Sequence, residues 1–289
     1  MSKFTKVAAA LATIGALASG SAHAYLQNWY MDANGATGGT GDAVKIQDNI
    51  AIAGSSVGRI TVTATGGTGF NFAEQGVLKL SESNTGQAFT QSLFATYNLT
   101  GNGTFGSAPG TFDGNATFTG GSFTLWVGPA SFATATDLYG VGSTNHTAIA
   151  SFNVTGDSIK NLDDIGRPNS GNATNNSPFS ITGTATSMSN GYFYMPDLLT
   201  DIAGLDKDFT FAFVVGNATT ISPSDLMASE FGAEDLTLNP AGGDFSVSFF
   251  VNHGGQARLA VPEPSSIALL GLGLLGVAGG IRRRKGKAV

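Results

Sequence analysis

The sequence predicts an all-β fold: one antiparallel, sandwich-like domain, flanked by an N-terminal signal peptide and a C-terminal hydrophobic helix. Three observations support this. Short runs alternate apolar and polar side chains with period two, which is typical of half-buried strands. Clusters of Gly, Asn, Asp and Pro separate these runs and predict turns. The chain also holds 41 Gly and 20 Phe, with only 12% charged residues, which favours a sheet around an aromatic core.

Residues 1–24 have the pattern of a signal peptide. Two lysines precede an apolar stretch, residues 7–17, that is too short to span a membrane. Ala22 and Ala24 form an A-x-A cleavage site. We therefore expect the mature chain to begin at Tyr25.

Residues 25–260 carry the alternating runs and are predicted to form a single β-rich domain. No internal repeat and no shift in composition divides this segment. Two short stretches look helical, Pro196 to Ile202 and Ser222 to Phe231, the second because a capping residue and a proline open it. The apolar members of the clearest strand runs are Phe123, Leu125 and Val127; Phe209, Phe211 and Phe213; and Phe245, Val247, Phe249 and Val251.

The charge of the mature segment restricts its partners. Between Tyr25 and Glu263 there are seven basic and 20 acidic residues, a net charge of −13. Such a body repels nucleic acid and anionic lipid, so we expect neither as a partner. The chain has no cysteine, which excludes disulfides and thiol chemistry and leaves burial as the source of stability.

Motifs for catalysis are not found in the mature segment. It holds two histidines, His146 and His253, more than a hundred residues apart and outside any HExxH pattern, so a catalytic zinc site is not expected. A nucleophile elbow is not expected either, because the one Gly-x-Ser-x-Gly sequence, Gly54 to Gly58, leads directly into an alternating strand run and not into a helix. We expect both histidines to be locally hydrogen-bonded turn residues, and the protein to be non-enzymatic, without catalytic residues and without a cofactor.

Calcium is the one metal that the sequence leaves open. Acidic residues beside glycines supply hard oxygen ligands, but none of these segments fits the twelve-residue calcium loop. Solvated acidic turns are the other interpretation, so no metal ligand is assigned. The segments are Asp32 to Gly35 with Asp42, the pair Asp163 and Asp164, and the pair Asp206 and Asp208.

Sugar binding has one specific candidate residue. Trp126 lies on the polar side of its run, opposite Phe123 and Leu125, and an outward indole is suited to stacking against a sugar. The alternative is that Trp126 covers a second sheet. The Asn-x-Ser/Thr glycosylation pattern is a weaker indication, at Asn98, Asn102, Asn115, Asn145, Asn153, Asn172, Asn175 and Asn217.

Residues 261–289 form a tail with three parts in strict order. Pro262 and Pro264 hold the backbone extended on both sides of Glu263. Ile267 to Ile281 carries no charge, and its length as a helix, about 23 Å, is short of the ~30 Å hydrocarbon core. The basic residues that follow are expected to stay cytoplasmic under the positive-inside rule, and they include Arg282, Arg283 and Arg284.

This tail resembles the PEP-CTERM sorting signal of Gram-negative bacteria. The resemblance implies a chain that is exported, held transiently in the inner membrane through residues 265–281, and cut by the transpeptidase exosortase near Pro262-Glu263-Pro264. The product would then reach the cell surface or the extracellular matrix. An ordinary tail anchor that is never cut is the alternative.

Three short segments extend the resemblance to flocculation-associated PEP-CTERM proteins: Leu26 to Trp29, Phe70 to Gly76 and Asn252 to Gly255. That family implies a role in holding cells together within exopolysaccharide, as in flocs and biofilms. We therefore expect a matrix or surface protein whose partners are exosortase and extracellular polysaccharide. A carbohydrate-binding module is the alternative, and a polysaccharide hydrolase with paired carboxylates is a further one.

Overall fold

The computed structural model is built of β-strands and describes residues 23–35, 41–83, 85–105, 114–128, 146–154, 157–162, 179–205, 209–221 and 246–262. In this part of the chain the strands with a defined register pair antiparallel, and there is no α-helix, so the prediction of an antiparallel all-β protein is confirmed. The predicted helix from Ser222 to Phe231, the helix in the C-terminal tail and nearly all of the signal peptide lie outside the described residues.

The described residues form thirteen strands, several of them long. They are β1 (His23–Tyr25), β2 (Trp29–Met31), β3 (Val44–Ile46), β4 (Ile50–Gly66), β5 (Gly69–Ser83), β6 (Ala88–Phe105), β7 (Gly114–Gly128), β8 (Thr147–Val154), β9 (Asp157–Leu162), β10 (Phe179–Met188), β11 (Phe193–Tyr194), β12 (Thr210–Ile221) and β13 (Ser246–Pro262). Tyr25 to Leu259 make up one compact unit.

The main sheet closes on itself. Its strands follow the order β13-β12-β10-β8-β7-β6-β5-β4, and β4 pairs in turn with β13. The closing pair runs from Ser246 opposite Thr63 to Ala257 opposite Ile50. One continuous sheet therefore takes the place of the two facing sheets of the expected sandwich.

Two physical features favour closure over a sandwich. Bulges interrupt the pairing of β4 with β5, of β6 with β7 and of β13 with β4, and a bulge bends a strand and increases its twist. Closure also gives hydrogen-bond partners to the two edges that an open sheet would expose. Neither feature is visible in the spacing of apolar residues.

A second, three-stranded sheet has the order β11-β2-β3. Trp29 lies opposite Ile46 in this sheet, and Met31 lies opposite Phe193. Trp29 is fully buried and its ring stacks on Phe193, with the ring centroids 6.3 Å apart. The small sheet is therefore stabilised by its own apolar contacts.

The inner face of the main sheet is aromatic, as the alternating runs predict. Phe123, Leu125 and Val127 are all buried, and so are Phe209, Phe211 and Phe213. Phe123 stacks on Phe152 with the ring centroids 4.6 Å apart and meets Phe213 edge-on at 4.7 Å. Aromatic pairs at these distances stabilise a core beyond the area that they bury.

The run in β13 follows its prediction only in part, because Val251 is buried as predicted but the polar side of the strand is buried too. Ser248, expected on the polar side, is buried, and Phe250, which follows the expected apolar position 249, is fully buried. Phe250 and the adjacent Val251 are both buried, so both faces of β13 are covered at this point, and Ser248 lies on the same face as Phe250. Ser248 remains satisfied because its hydroxyl lies 2.9 Å from Thr61 Oγ1.

The expected helix from Pro196 to Ile202 is replaced by a turn. Asp197 Oδ1 accepts hydrogen bonds from the N–H groups of Leu199 and Thr200, both at 3.0 Å. Leu198 has a φ of 56°, which ends any right-handed helix there. A single turn of 3-10 helix follows at Ile202–Gly204, and Asp201 caps it.

Glycines face large rings on the inner side of the sheet. Gly103 lies opposite Phe70 across β5 and β6, and Gly101 lies opposite Phe72. A Cβ added at Gly101 would overlap the Phe72 ring and the Thr117 carbonyl oxygen. Because Gly101 has no side chain, the Phe72 ring can occupy the space beside it. Such pairs of glycine and an aromatic residue stabilise glycine in sheets.

We expect Gly101→Ala to lower the free energy of unfolding by about 1–3 kcal/mol, because the added methyl group overpacks the core. Gly41→Ala is the matched control, since a Cβ at Gly41 meets nothing within 4 Å. Urea unfolding followed by fluorescence measures both variants. Equal unfolding midpoints would contradict the proposed packing role of Gly101.

The Asp197 turn predicts a pH dependence. Hydrogen bonds from the Thr200 N–H, the Thr200 hydroxyl and the Leu199 N–H lower the pKa of Asp197. The turn is therefore stabilised at pH values above the carboxyl's unfolded pKa of about 3.9, and this stabilisation is lost as the pH falls through the lower folded value.

An NMR titration of the Asp197 carboxyl tests this. Thr200→Val should raise the pKa of Asp197 toward its ordinary value, because the hydroxyl donor is removed. Thr90→Val, at an exposed threonine of β6, should leave that pKa unchanged. An identical titration in both variants would show that the Thr200 hydroxyl does not stabilise the carboxylate.

Candidate functional site

Trp126 lies on β7 and is half-buried, between the buried residues Leu125 and Val127. Its ring stacks on Phe94, with centroids 6.4 Å apart and an interplanar angle of 12°. Its Nε1–H donates a hydrogen bond to Thr96 Oγ1 at 2.9 Å. One ring face and the N–H group are thus engaged within the protein, and the predicted sugar stacking stays a prediction for the rest of the indole.

Other aromatic residues, in or beside the small sheet, are less accessible. Trp29 and Tyr194 are buried. Burial, followed by the nearby charges of Asp201 and Asp32, raises the pKa of Tyr194, so its phenol stays neutral at physiological pH. Tyr192 is only half-buried and lines an open depression of about 210 Å³.

This depression is polar and its amide groups are held in place. Gln91 Nε2 donates to Asn34 Oδ1 at 3.0 Å, and Asn34 Nδ2 donates to Asp42 Oδ2 at 2.9 Å. Thr147 also lines the depression. Its size and lining fit a small polar molecule.

The structure shows how the acidic residues of this region are used. Asp32 is fully buried, and its Oδ1 accepts the Asn34 N–H at 2.9 Å. Asp42 is bonded to the Asn34 side chain instead. Within the described part of the chain no group of three or more His, Asp or Glu could hold a metal ion. The other calcium candidates, Asp163, Asp164, Asp206 and Asp208, lie outside that part.

A buried polar cluster lies inside the main sheet and was not predicted. Glu74 Oε1 accepts a hydrogen bond from the Tyr97 hydroxyl at 2.8 Å and lies 2.8 Å from His253 Nε2. Glu74 is 3% exposed and His253 is 1% exposed. A Cβ added at Gly58 would overlap the Tyr97 oxygen, so the glycine makes room for the cluster.

The prediction that His253 is a locally bonded turn residue is wrong. It lies within β13 and contacts Glu74, 179 residues earlier in the chain. The closing of the sheet brings these two residues together. His146 directly precedes β8, as expected, and its ring meets Phe94 edge-on with centroids 5.3 Å apart.

The same cluster joins two of the segments that carry the narrower resemblance. Glu74 belongs to the segment Phe70 to Gly76, and His253 belongs to the segment Asn252 to Gly255. The third segment ends at Trp29, whose side chain is fully buried in the small sheet. In this protein these segments therefore stabilise the fold through buried side chains.

The outer face of the sheet carries two cross-strand rows of uncharged polar residues, which we call the polar face. The first row is Thr63, Asn71, Asn102 and Thr117, all of them exposed. The second row is Gln75, Asn98, Ser122 and Asn153, of which only Gln75 is half-buried. The rows cross strands β4 to β8.

The polar face explains why the glycosylation pattern is frequent. In a strand, residues two apart share one side, so Asn-x-Thr on a polar side places both residues outward. Asn98 with Thr100 and Asn102 with Thr104 are exposed in this way. Strand alternation therefore places both residues of these two sequences on the outer side of the sheet.

Comparison with known proteins identifies the tail. Residues 260–285 match the PEP-CTERM protein-sorting motif, which confirms the predicted sorting signal. A search of the curated proteins and a search of the solved structures found no match. The motif implies that the chain is exported and sorted by exosortase.

The residues of the two processing signals lie mostly beyond the described part. Pro262 is the last residue of β13 and Ala24 lies in β1. Glu263, Pro264, Arg282 to Arg284 and Ala22 lie outside the described residues. Within the described ranges, no helix has the length and apolar character needed to cross a membrane.

We expect Glu74→Ala to cost about 3–5 kcal/mol of unfolding free energy, because Tyr97 and His253 lose a shared buried acceptor. Tyr97→Phe removes one donor and should cost about 0.5–1.5 kcal/mol. Asn71→Ala, exposed on the same strand as Glu74, should change stability by less than about 0.5 kcal/mol.

Denaturant unfolding of these variants measures the three costs. Glu74→Ala combined with His253→Ala should cost less than the sum of the two single changes, because the pair acts as one unit. A Glu74→Ala variant as stable as Asn71→Ala would show that the cluster does not hold the sheet together.

Proposed function

Because residues 260–285 match the PEP-CTERM sorting motif, we propose that this chain is an exported, non-enzymatic protein of the cell surface or extracellular matrix. Exosortase cuts it near Pro262-Glu263-Pro264 after export. The cut domain then associates with exopolysaccharide and promotes cell aggregation, as in flocs or biofilms. The motif match is the observation that carries this proposal.

Each part of the tail has a mechanical role in the proposed sorting. Strand β13 keeps the backbone extended up to Pro262, and an extended peptide is the form that proteases bind. The uncharged run Ile267 to Ile281 halts the chain in the inner membrane. Arg282, Arg283 and Arg284 keep the end of the chain cytoplasmic.

The described domain supports a role in association rather than in catalysis. Its histidines are engaged in structural contacts: His253 is buried against Glu74, and His146 packs against Phe94. Its outer surface instead offers amide and hydroxyl groups in regular rows. Such groups form hydrogen bonds with sugar hydroxyls.

Replacing Pro262-Glu263-Pro264 with three alanines should leave full-length protein in the membrane fraction. The physical reason is that alanines no longer hold the segment extended for the protease. Cell fractionation followed by intact mass measurement reads out the result. The unchanged protein should yield a species that begins at Tyr25 and ends near Pro262.

Pro196→Ala is the matched control, because Pro196 lies in an exposed turn far from the tail in sequence, and it should be processed normally. A strain without exosortase should accumulate the same uncut species as the triple-alanine variant. Normal processing of the triple-alanine variant would overturn the proposed cleavage.

A further inference from the structure

The polar face has a regular spacing that the sheet itself sets. Neighbouring strands lie about 4.8 Å apart, and the two rows, which are four residues apart on β5 and on β6, are separated by about 14 Å along the strands. Asn71 faces Asn102 across one strand pair, and Asn98 faces Ser122 across the next. The two rows therefore form a lattice of side chains with a regular spacing along each row.

The side chains of this lattice are uncharged and bifunctional. An amide or a hydroxyl group both donates and accepts hydrogen bonds, as sugar hydroxyls do. Neither row contains a carboxylate, although the mature segment has 20 acidic residues. A charged residue, Arg59 of β4, lies opposite Gln75 of β5. Its Nη1 donates a hydrogen bond to Thr61 Oγ1 at 3.2 Å.

A small depression and an aromatic ring add shape to the polar face. The depression measures about 90 Å³ and lies along the second row, lined by Arg59, Thr61, Ala73, Glu74, Gln75 and Asn98. Trp126 lies four residues beyond Ser122 on β7, where buried and more exposed residues alternate. An indole beside polar groups is suited to binding the flat face of a glycan.

The lattice is held rigid from beneath. Buried residues alternate with those of the rows: Phe70 and Phe72 flank Asn71, and Leu99 follows Asn98. A preformed surface loses little conformational entropy when a ligand binds, so weak individual hydrogen bonds add up to useful affinity.

We propose that the polar face is the surface through which the protein binds an extended, neutral polysaccharide. This inference rests on the proposed function, since it names the ligand class and the site for the association with matrix. A neutral chain fits because an anionic one would be repelled by the net charge of −13 between Tyr25 and Glu263. An extended chain fits because it presents hydroxyl groups at a regular repeat along several strands.

The test uses retention of the mature protein on amorphous cellulose as the neutral, extended probe, with alginate as the anionic probe. The variant Thr63→Ala/Asn71→Ala/Asn102→Ala/Thr117→Ala removes the first row. Its affinity for cellulose should fall by roughly tenfold or more, because several hydrogen bonds are lost together. The circular dichroism spectrum should stay that of the unchanged protein.

A matched pair separates position from chemistry. Thr63→Ala/Thr117→Ala lies on the polar face, and Thr90→Ala/Thr147→Ala removes two exposed threonines elsewhere. Only the first pair should weaken retention. The proposal is overturned if both pairs and the four-residue variant are retained as strongly as the unchanged protein. It is also overturned if the unchanged protein is retained more strongly on alginate than on cellulose.

Two further outcomes distinguish this inference from the proposed function. If the protein co-extracts with native exopolysaccharide but the four-residue variant does so equally, the matrix role stands and the polar face is not its site. If the protein never co-extracts, the matrix role itself fails. Dimerisation in sedimentation velocity that is lost in the variant would show that a second copy occupies the face, which overturns the proposal.

Discussion

The pairing of β13 with β4 is the constraint on which the rest of the domain depends. It joins the last described strand, β13, to the first long strand, β4, so the β4 end of the main sheet is not an unpaired edge. The contact between His253 and Glu74 reinforces the closure from inside, because a buried carboxylate must keep its hydrogen-bond partners. Tyr97 supplies a second partner for the same oxygen atom.

Closure gives much of β5, β6 and β7 one enclosed side and one outward side. The enclosed side takes aromatic rings such as Phe123 and Phe152, with glycines opposite other rings where space is short. The outward side of β4 to β8 is left with Asn, Thr and Ser, since nothing selects for apolar residues there. The polar face is thus a direct consequence of how the core is enclosed.

The tail and the domain supply different parts of the proposed function. The tail acts as a contiguous peptide that another protein recognises, so its motif identifies a sorting route. The surface of the domain that we propose for polysaccharide binding is assembled from several strands. Because Asn71 and Asn102 become neighbours only through pairing of β5 with β6, this surface has no contiguous motif.

The sequence by itself determined the β class, the burial of Phe123 and Phe211, and the sorting signal. These features follow from local periodicity or from adjacent residues, which a single chain displays directly. Only the tertiary structure decided the closed sheet, the position of His253 and the burial of Ser248. Each depends on which strands pair, and residues 179 apart, such as Glu74 and His253, carry no local pattern that announces their contact.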